Sequence, residues 1–254
     1  MGGASRSEKQ RRQQAANQRL AAAGITPRKS GTGGNRSALI VVGVVVAIAV
    51  VVGLVVAMTR GSGTAPVAAN YPVAVSGTVV TAGQAGAPVT VDVYEDYLCP
   101  QCERFENAYG DEITAALNEG KIKVNYHATA ILDQRTSPPG YSTLSANAGL
   151  CAANAGIFPA FHKQLFDEQP SEGGAGFTAA ELVAKGNALG AAPGFEQCVT
   201  TNGNAAAIAA ATEAAARTPS LTTNGQFGTP TVAVGGQKIN LNDRDWLKNA
   251  TGQA

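Results

Sequence analysis

The sequence predicts an α/β domain with an inserted helical subdomain, preceded by one transmembrane helix. Three observations predict this class: an uncharged apolar run at 38–58, a β-branched segment at 89–94 that leads into two cysteines, and a helix-rich stretch at about 140–218 followed by two more strands. With 254 residues, 44% of them hydrophobic, the chain is long enough for one or two domains and too apolar to be disordered throughout.

The charges are segregated along the chain, although the formal net charge is only +1. Residues 1–37 carry eight Lys or Arg and one Glu, so this arm has a charge of +7 and the remainder of the chain −6. The arm has almost no large apolar residues to bury, so we expect it to be disordered. A basic arm can bind nucleic acid or anionic lipid, but next to an apolar run it also sets membrane topology. We favour topology and expect no nucleic-acid partner.

The apolar run at 38–58 predicts a membrane anchor. Its 21 residues contain no charge and no proline, and as a helix they cross a hydrocarbon core of about 30 Å. A cleaved signal peptide, cut near 67–69, is the alternative, but its apolar region is normally only about 7–15 residues long. We therefore expect an uncleaved signal-anchor in the cell membrane. Because positive flanks stay inside, residues 1–37 should be cytoplasmic and the domain at 71–254 extracytoplasmic, after a flexible linker at 59–70.

A predicted strand leads directly into the first two cysteines. Residues 89–94 alternate and are rich in β-branched side chains, which indicates a buried strand. Pro100 suits the first turn of a following helix, and Gly120 suits its end. The apolar stripe of that helix recurs every four residues: Phe105, Tyr109, Ile113 and Leu117. Cys99 therefore caps a helix N-terminus, where free N–H groups and the helix dipole lower the pKa of a thiol.

The pair Cys99 and Cys102 closes too short a loop to be an effective structural staple. Such a pair is redox-active or half of a metal site; in the redox interpretation Cys99 is the nucleophile and Cys102 the resolving thiol. A zinc site needs two further ligands, and neither the other two cysteines nor His127 and His162 have the required spacing. We expect no metal, and we expect each histidine to be exposed or hydrogen-bonded rather than catalytic.

The rest of the chain carries helix signals between two sets of strand signals. Residues 121–126 alternate as a strand, and 231–234 with 238–241 predict a hairpin around Gly235-Gly236, followed by a short helix containing Trp246. Between them lie a periodic run at 142–154, an aromatic stripe at 158–165, a capping box at Thr178–Glu181 and an alanine-rich run at 204–217. This helical insertion spans about 140–218.

Cys151 and Cys198 both fall inside the insertion, 47 residues apart. Outside the membrane, thiols are readily oxidised, and a cross-link over this distance contributes about 3–4 kcal/mol in the loop-entropy model. We predict a structural disulfide. Two buried free thiols, or a second redox relay with Cys99, are the alternatives.

The residues around the cysteines resemble the DsbA-like branch of the thioredoxin-fold thiol–disulfide oxidoreductases. Glu95-Asp-Tyr-Leu-Cys-Pro-Gln-Cys102 is similar to that branch's approach to its active site, and Phe227–Gly236 is similar to its proline loop and following strand. The resemblance implies a thioredoxin fold over Tyr71 to the C-terminus. It also implies that Pro230 is cis and faces the disulfide, and that the backbone of Thr229 pairs with an extended substrate.

Two positions depart from the family pattern. Where many relatives have a buried acid, this chain has Val93, and Glu95 is the next residue on the same face of the strand. Glu95 is therefore the candidate proton acceptor for the resolving thiol; the alternative is that Glu95 and Asp96 are exposed carboxylates at the strand end. Gln101 replaces the histidine of the strongest oxidants and adds no positive charge near the thiolate, which favours a less oxidising couple.

We expect a membrane-tethered, extracytoplasmic oxidoreductase that donates its disulfide to exported, reduced or unfolded proteins and needs no cofactor. The resemblance implies reoxidation by a membrane oxidase of the DsbB or VKOR type. A tethered reductase or isomerase is one alternative. A Cu(I)-binding envelope metallochaperone is another, because paired thiolates suit Cu(I), and a non-catalytic scaffold with a vestigial motif is a third.

Overall fold

A computed structural model describes residues 67–252 of the chain. The predicted arm at 1–37 and the predicted anchor at 38–58 lie outside these residues. Within the described part of the chain, no helix has both the length and the apolar character needed to cross a bilayer.

The described residues build a mixed six-stranded sheet in the order β1-β2-β4-β3-β5-β6. The strands are β1 (Val73–Ser76), β2 (Val79–Ala82), β3 (Val89–Glu95), β4 (Ile122–Ala128), β5 (Thr231–Val234) and β6 (Gln237–Lys238). β3 and β4 are parallel, with Val91 opposite Val124, and all other neighbours are antiparallel. A parallel pair needs a crossover connection, which the first helix, α1 (Pro100–Asn118), provides.

The alternating pattern predicted from the sequence buries apolar side chains in both strands that α1 connects. In β3, Val91 and Val93 are completely buried, as is Val124 in β4. The stripe of α1 packs against the same core: Phe105, Ile113 and Leu117 are buried and Tyr109 is partly buried. At the far end, Gly120 adopts a φ of +67°, which ends the helix at low cost. The strand and helix that flank the cysteines are therefore fixed by a common core.

The helical insertion lies between β4 and β5, as predicted. Its helices are α2 (Tyr141–Asn154), α3 (Phe158–Asp167), α4 (Ala179–Ala188), α5 (Phe195–Thr201) and α6 (Ala205–Arg217). The capping box at the start of α4 is present, with Thr178 accepting from the backbone N–H of Glu181 and the Glu181 carboxylate accepting in return. Short 3-10 helices at Asp133–Arg135 and Pro219–Leu221 flank the insertion, and α7 (Trp246–Thr251) closes the fold.

Small side chains let the insertion helices pack closely. A Cβ at Gly186 in α4 would lie 2.1 Å from the ring of Phe195 in α5, so only glycine fits there. Cys151 in α2 and Cys198 in α5 form a disulfide with their Cα atoms 5.8 Å apart. α2 is therefore held to α5 by both packing and a covalent bond.

Two details of the sheet differ from the sequence-based expectation. The hairpin of β1 and β2 was not anticipated, because its four-residue strands carry too little pattern to identify; it turns at Gly77, whose φ is +60°. The last strand is also shorter than the predicted 238–241, because Ile239 and Leu241 pack against the main core instead of extending β6.

Candidate active site

The two reduced cysteines lie at the junction between β3 and α1: Cys99 directly precedes the helix and Cys102 is in its first turn. Cys99 is the N-cap residue of α1 and Pro100 its first residue, so Cys99 lies at the positive end of the helix dipole. Cys99 is 6% exposed, whereas Cys102, one turn further along, is completely buried. Of the two sulfurs, only that of Cys99 has surface through which a second thiol can approach.

The loop before β5 packs against Cys99. The Thr229–Pro230 peptide bond is cis, as the family resemblance implied. The thiol of Cys99 donates to the backbone carbonyl of Thr229 at 3.3 Å. The hydroxyl of Thr229 is buried and has no hydrogen-bond partner among the described residues, so it is free to donate to a thiolate. Residues 130 positions apart thus meet at the reacting sulfur.

The two thiols have opposite pKa shifts. Hydrogen bonds lower the pKa of Cys99 to about 6, first from the Cys102 thiol, then from the Thr229 side chain and from the backbone N–H groups of Cys102 and Gln101. Burial raises the pKa of Cys102 well above its usual range, and the hydrogen bond to Cys99 and the charge of Glu95 raise it further. At neutral pH the proton of the pair is therefore held by Cys102 and the charge by Cys99.

Alkylation of Cys99 in the reduced chain is expected to increase with pH around a midpoint of about 6, because the thiolate is the reacting species. The measurement is the pH dependence of iodoacetamide labelling, with the labelled peptides identified by mass spectrometry. Cys99→Ser is the control, because it leaves buried Cys102, which should show no labelling step in this range. A midpoint near about 8.5, that of an unperturbed thiol, would contradict the shift.

The same shift makes the stability of the reduced form depend on pH. A thiol whose pKa is lowered on folding stabilises the folded state above its unfolded pKa, about 8.5. This stabilisation is lost as the pH falls through about 6, the folded pKa of Cys99. The oxidised form has no such titration, so a fall in pH through about 6 destabilises the reduced pair relative to an unperturbed thiol couple such as glutathione.

Glu95, the candidate proton acceptor, lies at the end of β3 and is 4% exposed. Burial raises its pKa well above the usual range, and the charges of Glu106 and Cys99 raise it further. Its charge in turn raises the pKa of Cys102, which places it within electrostatic reach of that thiol. Glu95 is therefore a carboxyl group whose protonated form is favoured by burial and which lies within electrostatic reach of the buried sulfur.

Asp96 is also buried, so the alternative of two exposed carboxylates is wrong. It accepts hydrogen bonds from the backbone N–H groups of Leu98 and Leu132, both at 2.9 Å, and from the hydroxyl of Ser142 at 2.7 Å. Burial raises its pKa to about 6 despite these bonds. Asp96 ties the turn before Cys99 to α2 and thereby positions the cysteine at the helix start.

The two histidines have different surroundings. His127 in β4 is half-buried and lies 3.0 Å from the carboxylate of Asp92. His162 in α3 is buried, with Nδ1 2.9 Å from the hydroxyl of Tyr97. Both therefore fit the expected hydrogen-bonded role. Sequence reasoning missed Tyr97 and Glu106, which approach His162 from other elements and carried no local signal.

Comparison with known proteins identifies the family. A family model described as Thioredoxin matches residues 75–250. The chain belongs to the thioredoxin family. Among solved structures, DsbA from Mycobacterium tuberculosis in the reduced form is 26% identical, with a TM-score of 0.58 over 72% of this chain and 91% of that one. The reduced form of the disulfide bond oxidoreductase DsbG from the same organism is 27% identical, with a TM-score of 0.57 over 67% of this chain and 81% of that one.

Two further relatives are more distant or only partly matched. MdbA, a thiol-disulfide oxidoreductase from Corynebacterium diphtheriae, shares the fold at 21% identity, with a TM-score of 0.63 over 73% of this chain and 96% of that one. The serine/threonine-protein kinase PknE of M. tuberculosis is 30% identical over 179 residues, which are 68% of this chain. That match spans 31% of the kinase's length, so the chain covers about a third of this curated relative.

The thioredoxin-like fold with its helical insertion, the dithiol at the helix start and the likeness to DsbA structures agree with one another. The domain at residues 75–250 is of the DsbA-like protein disulfide oxidoreductase class. The predicted enzyme class is thereby confirmed.

Proposed function

We propose that the Cys99–Cys102 disulfide is donated to reduced, exported proteins on the extracytoplasmic side of the cell membrane. The opposite pKa shifts of the two cysteines carry the proposal. A low pKa stabilises the Cys99 thiolate in the reduced form and makes Cys99 a good leaving group, and both effects make the corresponding disulfide more oxidising. A reductase instead needs a less stable reduced form.

The exchange proceeds in two steps. A substrate thiolate attacks the sulfur of Cys99; a substrate–Cys99 bond forms, the Cys99–Cys102 bond breaks, and Cys102 leaves as a thiolate. Glu95 supplies the proton that Cys102 takes up, since both groups are buried and the charge of Glu95 reaches Cys102 and raises its pKa. A second substrate thiolate then attacks the substrate sulfur of the mixed disulfide and releases the Cys99 thiolate. The substrate loses two electrons and the active-site pair gains them.

Thr229 orients the substrate in this scheme. Its carbonyl lies 3.3 Å from the sulfur of Cys99. An extended peptide that pairs with the backbone of Thr229 would bring a thiol of its own next to that sulfur. Pro230 follows Thr229 in the loop that contacts Cys99, and it has no backbone N–H of its own to donate to the substrate.

The membrane arrangement belongs to the proposal. The run at 38–58 anchors the protein, with residues 1–37 in the cytoplasm and the catalytic domain outside. Turnover requires that Cys99 and Cys102 be reoxidised, and the family resemblance favours a membrane oxidase of the DsbB or VKOR type. In that step Glu95 takes back the proton of Cys102. Confinement of both proteins to one membrane raises the frequency of their encounters.

The reduction potential of the Cys99–Cys102 pair tests the direction of transfer. The full-length chain is equilibrated with glutathione, quenched and mapped by mass spectrometry, so that Cys151 and Cys198 are monitored separately. We expect a potential nearer to that of DsbA, about −120 mV, than to that of thioredoxin, about −270 mV. A value at the thioredoxin end would replace disulfide donation by a reductase function.

A further inference from the structure

Three side chains converge on one point on the inner side of the dithiol. Glu95 comes from β3, Glu106 from α1 and His162 from α3. Each offers one potential ligand atom, and these atoms all lie within 4.8 Å of one another. Nε2 of His162 is 3.5 Å from a carboxylate oxygen of Glu95 and 3.6 Å from one of Glu106. These separations are too long for hydrogen bonds.

The converging atoms lack partners although they are shielded from water. Both carboxylate oxygens of Glu95, Oε1 of Glu106 and Nε2 of His162 make no hydrogen bond within the described part of the chain. The side chains of Glu95 and His162 are only 5% and 7% exposed. Within residues 67–252, His162 is also the one ion-pair partner found for either glutamate. Buried polar groups are costly unless something satisfies them, and two carboxylates call for positive charge.

We propose that Glu95, Glu106 and His162 bind one divalent cation of the zinc class. Around a tetrahedral ion with bonds of 2.0–2.1 Å, neighbouring ligand atoms lie about 3.3–3.4 Å apart, close to the two measured separations from Nε2. Imidazole with carboxylates is a donor set that suits Zn²⁺ and its first-row neighbours. Two carboxylates also neutralise the charge of a divalent ion, so the occupied cluster is uncharged overall.

The residues around His162 fix the orientation of its imidazole ring for ligation through Nε2. Its Nδ1 lies 2.9 Å from the hydroxyl of Tyr97, and donation from Nδ1–H to that oxygen leaves the lone pair of Nε2 directed at the ion. The rings of Tyr126, Phe158 and Phe166 pack around the imidazole with centroid distances of 4.8–5.1 Å. This aromatic wall fixes the ring and lowers the local dielectric, which strengthens ligation by charged groups.

A cleft of about 730 Å³ reaches Glu106 and His162 of the cluster. Glu106 and His162 line it, together with Tyr126 and Phe166, whereas Cys99 and Cys102 do not. An ion can therefore enter without passing the dithiol. Three protein ligands leave the fourth position of a tetrahedral ion open, and the cleft gives that position to water or to a small anionic ligand.

The site shares Glu95 with the proposed exchange mechanism: a metal-bound Glu95 carries no proton, so the proton transfer to Cys102 belongs to the metal-free form, and the test of the site avoids exchange activity. The full-length chain is oxidised first, because a closed Cys99–Cys102 disulfide removes the thiols as competing ligands. It is then titrated with Co²⁺, followed by displacement with Zn²⁺. We expect about one equivalent of Co²⁺ with visible d–d absorption and no thiolate-to-cobalt charge-transfer band. Failure of disulfide donation would leave this result unchanged, so the two proposals fail independently.

Two single substitutions and a matched control test the ligand assignment. His162→Gln and Glu106→Gln each remove one donor at nearly constant shape and are expected to weaken Co²⁺ binding by about 100-fold or more. His127→Gln is the matched control: it changes the other of the chain's two histidines, which also lies beside a carboxylate, and should leave binding unchanged. Thermal unfolding shows which variants fold. Zn²⁺ should raise the unfolding midpoint of the wild-type chain and of His127→Gln, but not of His162→Gln or Glu106→Gln.

The titration of the wild-type chain is decisive by itself. Absence of saturable binding by the oxidised chain up to about 1 mM free Co²⁺ or Zn²⁺ would overturn the proposal, because the three groups would then share protons instead of an ion. Equal loss of binding in His127→Gln and His162→Gln would overturn the assignment as well.

Discussion

Cys99→Ser is expected to abolish disulfide exchange, whereas Cys102→Ser is expected to accumulate mixed disulfides with substrate. Both substitutions keep the side-chain shape, and the difference follows from position. Cys99 is 6% exposed and its pKa is lowered to about 6, whereas Cys102 is completely buried and its pKa is raised. Only Cys99 can attack or be attacked, and only Cys102 can resolve the adduct from inside.

Each variant is first treated with oxidised glutathione, which loads an accessible remaining cysteine with a mixed disulfide and so supplies the two oxidising equivalents. The measurement is the rate at which the treated variant then oxidises a reduced dithiol peptide, together with non-reducing electrophoresis of the products. We expect Cys99→Ser to lower the rate by about 100-fold or more, to the uncatalysed background. The two variants control for each other, because both remove the same disulfide from adjacent turns of α1. Adducts in Cys99→Ser, or equal behaviour of the two variants, would contradict the assignment of the outer sulfur.

Replacing both Cys151 and Cys198 with alanine is expected to lower the free energy of unfolding by about 3–4 kcal/mol, because the cross-link closes a loop of 47 residues. The disulfide joins α2 to α5, and Cys151 is 1% exposed, so little thiol chemistry reaches it from solvent. At temperatures where the variant stays folded, the exchange rate should be retained. Chemical denaturation followed by circular dichroism measures the first effect, and peptide oxidation measures the second.

The double variant Cys99→Ser/Cys102→Ser is the matched control for this experiment. It also removes two cysteines, but the loop between them is too short to restrict the unfolded chain greatly, so stability should change much less. An unchanged stability without Cys151 and Cys198 would contradict a structural role. Loss of exchange in a variant that remains fully folded would instead favour the relay with Cys99.

Local patterns were sufficient for the elements that carry the dithiol. The alternation at 89–94, the proline at position 100 and the four-residue stripe of α1 each involve neighbours in sequence, and each reports the contacts that form the element itself. The strand, the helix and the placement of Cys99 between them followed from these signals. The same holds for the capping box at Thr178, whose partners are three residues apart.

Features that depend on distant segments required the tertiary structure. The sequence left Glu95 either exposed or beside the buried thiol; the tertiary structure buries it and brings His162 of α3 to 3.5 Å from its carboxylate. The hairpin of β1 and β2 is stabilised by the pairing of β2 with β4. Strands of four residues carry too little pattern for that pairing to be predicted from the sequence.

The sequence by itself determined a dithiol at the start of a helix in an α/β domain, and a second cysteine pair within a helical insertion. The tertiary structure decided which side chains surround that dithiol. Tyr97 meets His162 across 65 residues, and Thr229 meets Cys99 across 130. Periodicity specifies which face of each element is buried but not which face of another element it meets. The pKa values of the thiols and the cluster of Glu95, Glu106 and His162 depend on that choice.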